Sequence, residues 1–330
     1  MNRGAPSQKH VGTRNHIVLC LARVFFTLRH PLLVRRFARR LGYLPNLAVP
    51  RTYHEKMLWR KVHDRNPLFI TLTDKILCKE WVKAKAPDLQ APVTLWTGPD
   101  VRDAPAPLLV GDIVVKLNSG CNMNAFVSGG EPARDEIHRL SQQWLTKRHG
   151  KRHGEWAYSC ITPQLLIEQR LVLGGDALPT DIKVHVCGGQ VCHVWVEDRI
   201  GKRSLVLSAE GAALAGRDSD YPREDQALKS SERLAELVRE AVAKAKLLAS
   251  DIDYIRVDFL VASDRLYVGE LTVYSASGYG TWSNRAIAEN AARMWDLRKS
   301  HFLSDGGTGF SAIYADALTA ALKSKSEEYS

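Results

Sequence analysis

Acidic residues are almost missing from the N-terminal segment of this chain. Residues 1–62 carry 13 lysines and arginines and one acid, Glu55; the rest of the chain carries 33 basic and 35 acidic side chains. The formal net charge of +10 over 330 residues therefore belongs to one segment rather than to the whole surface. Cysteine is also scarce, with six residues: Cys20, Cys78, Cys121, Cys160, Cys187 and Cys192. None form a C-x-x-C pair, and the spacings match neither a zinc site nor a disulfide framework. Free thiols in a reducing compartment are the expectation. No apolar run reaches the roughly 20 residues of a membrane span. The best candidate, 17–27 (IVLCLARVFFT), is interrupted by Arg23 and leads into arginine-rich sequence without a small-residue cleavage site. It reads as a buried or interfacial helix rather than a signal peptide. No internal repeat is present, and no base-stacking or groove-binding motif accompanies the basic patch, which argues against a nucleic-acid partner. The reading left is a cytoplasmic protein, with the inner face of the plasma membrane as a candidate peripheral contact.

The composition, 45% apolar and 25% charged, is that of an ordinary globular chain long enough for two or three lobes. Arg35, Arg36, Arg39 and Arg40 recur at i, i+1, i+4 and i+5, which clusters them on one helix face. Such a patch attracts phosphates, anionic lipid or a polyanionic polymer; a plain solvated face is the competing reading. Helical periodicity covers 17–42, with Pro31 interrupting, then 68–86, 132–147, 229–249 and 285–299. Strand patterns cover 92–97, 112–117, 164–171, 181–187, 190–197, 254–261 and 265–272. The Gly188-Gly189 and Ser263-Asp264 pairs mark tight hairpin turns. Residues 1–15 read as disordered, 118–130 as a loop, and the tail from Gly306 as a short helix. The sum is an α/β (α+β) protein with antiparallel hairpins. The expected organisation is a basic segment at 1–50, an N-terminal lobe at 51–110, a small lobe at 111–172, a larger lobe at 173–300 and a tail at 301–330.

The hairpin 254–272 carries the most chemistry. Asp258 and Glu270 lie on neighbouring strands, and the tight turn brings their carboxylates close. Two such groups among apolar strand residues are costly to leave unpaired. Mg²⁺ with nucleotide phosphates suits one or two carboxylates. Thr272 and Arg256 share that face by the two-residue period of a strand; the first adds an oxygen, the second can grip phosphate. A structural salt bridge to Arg256 is the alternative. Lys116 ends a strand before a loop whose backbone can cradle phosphates around Gly120. Lys183 sits inside an apolar strand, where a lysine needs a partner, and Lys75 begins a helix in TDKILCK. Any one of these lysines alone is more often a surface charge than a ligand.

The ordered set TYHEKMLWRKVHDRNPL (52–68), TDK (73–75), VVKLNSG (114–120), IEQRL (167–171), DIKVHVCGGQV (181–191), IRVDF (255–259) and LYVGELTVYSASGYG (266–280) resembles the TupA-like ATP-grasp family. That family is named for a protein of teichuronopeptide synthesis, and the similarity runs from about residue 38 to 300. The resemblance implies an ATP-grasp fold, with nucleotide held between two α+β lobes, and ATP and Mg²⁺ as cofactors. It implies that Lys75 and Lys116 hold the α- and β-phosphates, and that 118–124, with Asn118, Ser119 and Gly120, closes over them. Glu168, Arg170 and Leu171 belong to the hinge that reads adenine. Lys183 and Arg256 take catalytic positions near the transferred phosphate, and Asp258, Glu270 and Thr272 the metal positions. Three departures stand out. The loop reads NSGCNMN where the family commonly has NHGSGxN, with Ser119 for His and Asn122 for Gly. The hinge reads EQRL rather than EKYL. The third metal position, Asn in many ATP-grasp enzymes, is Thr272, as the family pattern has it.

The implied reaction is carboxylate–amine ligation through an acyl phosphate. The expected partners are a carboxylate-bearing, uronic-acid-type saccharide or its lipid-linked precursor, and an amino acid or other amine. The competing functions are an ATP-dependent sugar kinase or glycosyltransferase-type enzyme of polysaccharide synthesis, and a non-catalytic anion-binding relative.

Overall fold

The computed structural model describes residues 8–147, 149–173, 180–214, 218–219, 226–228, 231–282 and 284–327. The first seven residues of the arm read as disordered, and the expected helix start at 229, lie outside them. The N-terminal part is helical: α1 (Gln8–Arg29), α2 (Pro31–Leu41), α3 (Tyr53–His63), α4 (Leu68–Thr73) and α5 (Leu77–Lys85). Helix already begins at Gln8, inside the stretch read as disordered. Pro31 opens α2, where its missing N–H costs nothing, and Gly42 closes it at φ +81° with its N–H on the Ala38 carbonyl. Thr52 starts α3 as a capping box: its hydroxyl accepts from Glu55 N–H, and the Glu55 carboxylate accepts from Thr52 N–H at 3.1 Å.

Two sheets follow. The smaller is antiparallel, in the order β1 (Thr94–Gly98), β4 (Leu165–Gln169), β2 (Ile113–Leu117), β3 (Asn124–Val127), with α6 (Arg134–Thr146) packed against β2. Strand β3 corrects the reading of 118–130 as loop. Alternating burial of Ala125 and Val127 supplies its pattern, which four residues are too few to announce. Among the described residues the larger sheet has seven strands. Its core is β6 (Gln190–Asp198), β5 (Asp181–Cys187), β11 (Tyr254–Ala262) and β12 (Arg265–Thr272), all antiparallel neighbours. It continues outward through β7 (Arg203–Leu207), β8 (Ala213–Leu214) and β10 (Gln226–Ala227). A further two-stranded pair joins β9 (Asp218–Ser219) to β13 (Thr281–Trp282).

Helix α7 (Glu232–Leu248) lays Leu234, Leu237, Val238, Ala241, Ala245 and Leu248 on one face of the large sheet. There it meets Ile182, Val184, Val257 and Phe259 in the main core. Helices α8 (Arg285–Met294), α9 (His301–Asp305) and α10 (Phe310–Glu327) complete the chain. The tail is thus not a short helix: α10 runs 18 residues and packs along α1, and its buried Tyr314 hydroxyl receives the Trp59 indole N–H at 2.7 Å. Gly188 and Gly189 turn the β5–β6 hairpin at φ +57° and +85°, the left-handed pair such a turn requires. Cys187 and Cys192 flank that turn and are joined as a disulfide, against the expectation of free thiols. Their spacing becomes a pair only when the hairpin closes. Cys20, Cys78, Cys121 and Cys160 are free.

Candidate active site

The register of the large sheet aligns the predicted charges in rows. Lys183, Asp258 and Glu270 are direct cross-strand partners on β5, β11 and β12; His185, Arg256 and Thr272 form the next row. A bulge at Gly269 lets Glu270 oppose Asp258 while Val268 opposes Phe259. The extra residue shifts the alternation, so Tyr267 joins Glu270 on the charged face while Val268 stays in the core. Along that face the sheet is polar; on the other it is the apolar floor of α7.

Arg256 grips Asp258 bidentately, Nε to Oδ1 and Nη2 to Oδ2 at 2.7 Å each, and donates to the Ser275 hydroxyl at 2.9 Å. Its Nη2 lies 3.5 Å from the Thr272 hydroxyl. Burial pushes the Asp258 carboxyl above the ordinary aspartate range; Arg256 and Lys183 pull it down, and Glu270 raises it further. Lys183 donates to Glu197 Oε2 at 2.6 Å and stands 4.0 Å from the centre of the Trp195 ring. Among the described residues no group of three or more His, Cys, Asp or Glu side chains is arranged for a metal ion. A cation here would complete its shell with hydroxyls, water or substrate phosphate.

The other predicted residues lie on and beside the small sheet. The hairpin loop between β2 and β3 begins at Asn118, whose amide donates to Asp74 and to the Thr162 carbonyl and whose oxygen accepts from Gln164 N–H. Asn118 and Ser119 are both buried. Lys75 N–H bonds the Asn118 carbonyl at 3.1 Å, and its ammonium donates to the Gly120 carbonyl. The TDK and NSG motifs thus clasp one another. A Cβ on Gly120 would meet the Met123 sulfur at 2.7 Å, so the loop packs on its own methionine. Asn122 stands at φ +57°, the backbone that the family's glycine would provide. The Cys121 thiol is raised by burial and then by the Glu270 charge, so the loop tip is within range of that carboxylate's field. Burial, then Glu270 and Glu155, likewise raise the Tyr158 phenol well above its ordinary value.

Lys116 pairs with Glu168 across β2 and β4, and Lys79 takes the other carboxylate oxygen. Burial would raise the Glu168 carboxyl, but Lys116 and Lys79 together hold it below its ordinary range. Next to it, Arg170 and Leu171, with Gln169, line a cleft of about 950 Å³ walled by Val93, Leu89 and Tyr267. The Arg170 guanidinium lies 5.6 Å from the Phe126 ring centre.

Four polar residues escaped the sequence reading. Lys79 is four residues after Lys75, one helical turn on, and that spacing was a usable signal. Glu197 recurs with His193 and Trp195 at strand period, yet its pairing with Lys183 depends on register. Lys61 and Glu155 are buried beside the 275–278 turn, Lys61 donating to the Ser277 carbonyl and hydroxyl. Burial lowers the Lys61 ammonium to about 8, with Glu155 opposing. No single-sequence pattern marks Glu155. The reading of 68–86 as one helix also fails here: Asp74 breaks it, its carboxylate accepting from Ile76 N–H at 2.8 Å and from Asn118.

Among known structures, the chain is similar to the D-alanine–D-alanine ligase of Bacillus anthracis, at 15% identity over 79% of this chain and 70% of that one, TM-score 0.37. For the Helicobacter pylori D-alanine–D-alanine ligase the values are 13%, 74%, 67% and 0.42. For the ATP-grasp ligase PsnB, solved with a phosphomimetic variant of its minimal precursor, Mg and ADP, they are 19%, 78%, 60% and 0.36. Among curated proteins there is no significant match. The TupA-like ATP-grasp profile, by contrast, matches residues 55–291, a span that takes in the clasped loop, β4 and both carboxylate strands: the chain belongs to the TupA-like ATP-grasp family.

Proposed function

We propose that the protein activates a carboxylate on a uronic-acid-type saccharide, or on its lipid-linked precursor, as an acyl phosphate and transfers it to an amine such as an amino acid. The observation that carries the reading is the in-register row Lys183–Asp258–Glu270, with the loop clasped by Lys75 within range of the Glu270 charge. The donor set suits Mg²⁺: two carboxylates face one another, each keeps lone pairs beyond its protein bonds, and Thr272 adds a hydroxyl. Asp258, Glu270 and Thr272 would hold the ion, which supplies Lewis acidity toward phosphate oxygens.

The chain's own residues do the rest. The cleft by Arg170 and Leu171 takes the base, with Tyr267 as a wall. From Tyr267 to Glu270 the strand advances about 10 Å, a span suited to ribose and triphosphate. Lys116 and Lys75 exchange their present oxygens for phosphate oxygens. Asn118, fixed by three hydrogen bonds, presents Ser119 and Gly120 in a set position, and the 118–124 loop shields the acyl phosphate from water. Arg256 lies beside the transferred phosphoryl group, and Lys183 neutralises the charge that develops there. The substrate carboxylate attacks the γ-phosphorus and ADP leaves. The amine then attacks the acyl carbon, loses a proton and displaces phosphate.

The test is ADP release from ATP and Mg²⁺ against pools of uronic acids and amino acids, with mass detection of the product. An amide product supports the reading; a phosphorylated sugar would replace it with a kinase. Calorimetry showing no nucleotide binding at millimolar ATP and Mg²⁺ would remove the catalytic assignment.

A further inference from the structure

Helix α1 is apolar on two sides. Its inner side places Ala22 and Phe26 in the core, Phe26 meeting the Tyr314 ring of α10 edge-on at 4.9 Å. Its outer side carries Ile17, Leu21, Val24 and Leu28, spaced as one stripe; Leu21 is 62% and Leu28 73% exposed. A helix that is apolar all round is ordinarily covered on every side. The stripe continues past the bend of 93° between α1 and α2 into Leu32, which is 78% exposed. Arg35, Arg39 and Arg40 are exposed beyond it on α2. No acid occurs in the first 54 residues to balance these cations. No single described helix is long and apolar enough to cross a membrane.

We propose that this face lies in the surface of an anionic lipid bilayer, the α1 stripe among the acyl chains and the α2 arginines on the headgroups. Exposed leucines and a one-signed cationic rim on adjoining helices match the two signals that together give stable peripheral anchoring. A second copy of this chain is a poorer cover: in a twofold dimer the patch meets itself, and arginine faces arginine. The inference is independent of the ligase reading, since none of these residues belongs to the site.

The experiment is sedimentation of the full chain with vesicles of phosphatidylcholine alone and of equimolar phosphatidylcholine and phosphatidylglycerol. The parent protein should sediment with the anionic vesicles and less so as salt rises. R35Q/R39Q should bind them roughly thirtyfold more weakly. L21Q/L28Q should lose binding at every salt concentration while its melting and ATP binding stay as in the parent. Equal binding to both vesicles, binding to neither at low salt, or an L21Q/L28Q variant that binds as the parent does would each overturn the proposal. So would a lipid-free dimer, by light scattering, that L21Q/L28Q converts to monomer, for a second copy would then cover the stripe.

Discussion

Two arginine–aspartate pairs lie around strand β11, and they have opposite surroundings. Arg60 donates to Asp253 at 2.6 Å, with the two side chains 0% and 3% exposed. Its Nη1 donates to the Tyr254 and Val273 carbonyls, Trp295 Nε1 donates to the second Asp253 oxygen, and the guanidinium lies over the Phe69 and Trp295 rings. Arg256 and Asp258 make an equally short pair at 9% and 11% exposure, but their neighbours are Glu270, Lys183, Thr272 and Ser275. The first pair is enclosed by rings and carbonyls, and the further carboxylate near it, Asp64, is itself fully buried and accepts from Phe302 N–H, so the pair serves the fold. The second abuts Glu270 and the hydroxyls of Thr272 and Ser275, the set proposed above to take a cation and phosphate. Burial and ion pairing alone therefore do not separate a site from a strut; what stands next to the pair does.

The sharpest break between the two comes from Arg60→Met, which strands the Asp253 carboxylate. It should cost roughly 3–5 kcal/mol in urea denaturation; a loss under about 1 kcal/mol would mean that the enclosed pair is dispensable. Glu270→Gln removes the like charge beside Asp258. Apo melting should hold or rise slightly, while ADP release falls roughly a hundredfold, about 2.7 kcal/mol of transition-state stabilisation. Early melting with turnover retained would place the second pair in the same class as the first. Asn122→Val puts a β-branched residue at φ +57°, at a cost of about 1–2 kcal/mol. ATP should then bind about tenfold more weakly, with little change in melting, and an unchanged dissociation constant would detach the loop from the carboxylate row.

The smallest effect belongs to Asp64, a third carboxylate near the enclosed pair. Burial and then Asp253 push it up to about 7 from the ordinary 3.8, with Arg60 opposing. Between those values the folded state holds a proton that the unfolded state has released, so this group's contribution is present at low pH and is lost as pH rises toward 7. Asp64→Asn should lose less melting temperature than the parent between pH 4 and pH 8. A parallel pair of profiles would show that the enclosed pair does not repel a third charge.

Much of the fold was legible where local chemistry is strong. The Gly188-Gly189 and Ser263-Asp264 turns take the left-handed angles of two-residue hairpin turns, and they deliver both hairpins. The α7 stripe is buried as its period predicts. Between residues 200 and 230, β8, β9 and β10 were missed because they are two residues each, too short for any period; β7, at five residues, was missed as well. Of the candidate site, the shared face of Arg256, Asp258, Glu270 and Thr272 followed from alternation. The pairings of Lys183 with Glu197 and of Lys116 with Glu168 did not. They depend on cross-strand register, and in the first case on a hairpin bulge between His185 and Val186. Much of the TYHEK stretch of the family motif is structural: Glu55 completes the cap of α3, and Lys56 donates to the carbonyls of Ala292 and Trp295.

The contact between α1 and α10 bears on synthesis. Helix α1 leaves the ribosome before both sheets, and the helix that covers its inner side is translated only after them. Through that interval the outer side of α1 is uncovered and its inner side, where Phe26 meets His63 of α3, still lacks α10, a state that invites aggregation. An early resting place for its outer side would shorten the exposure of the growing chain, and the last helix would then need only to close over the inner one.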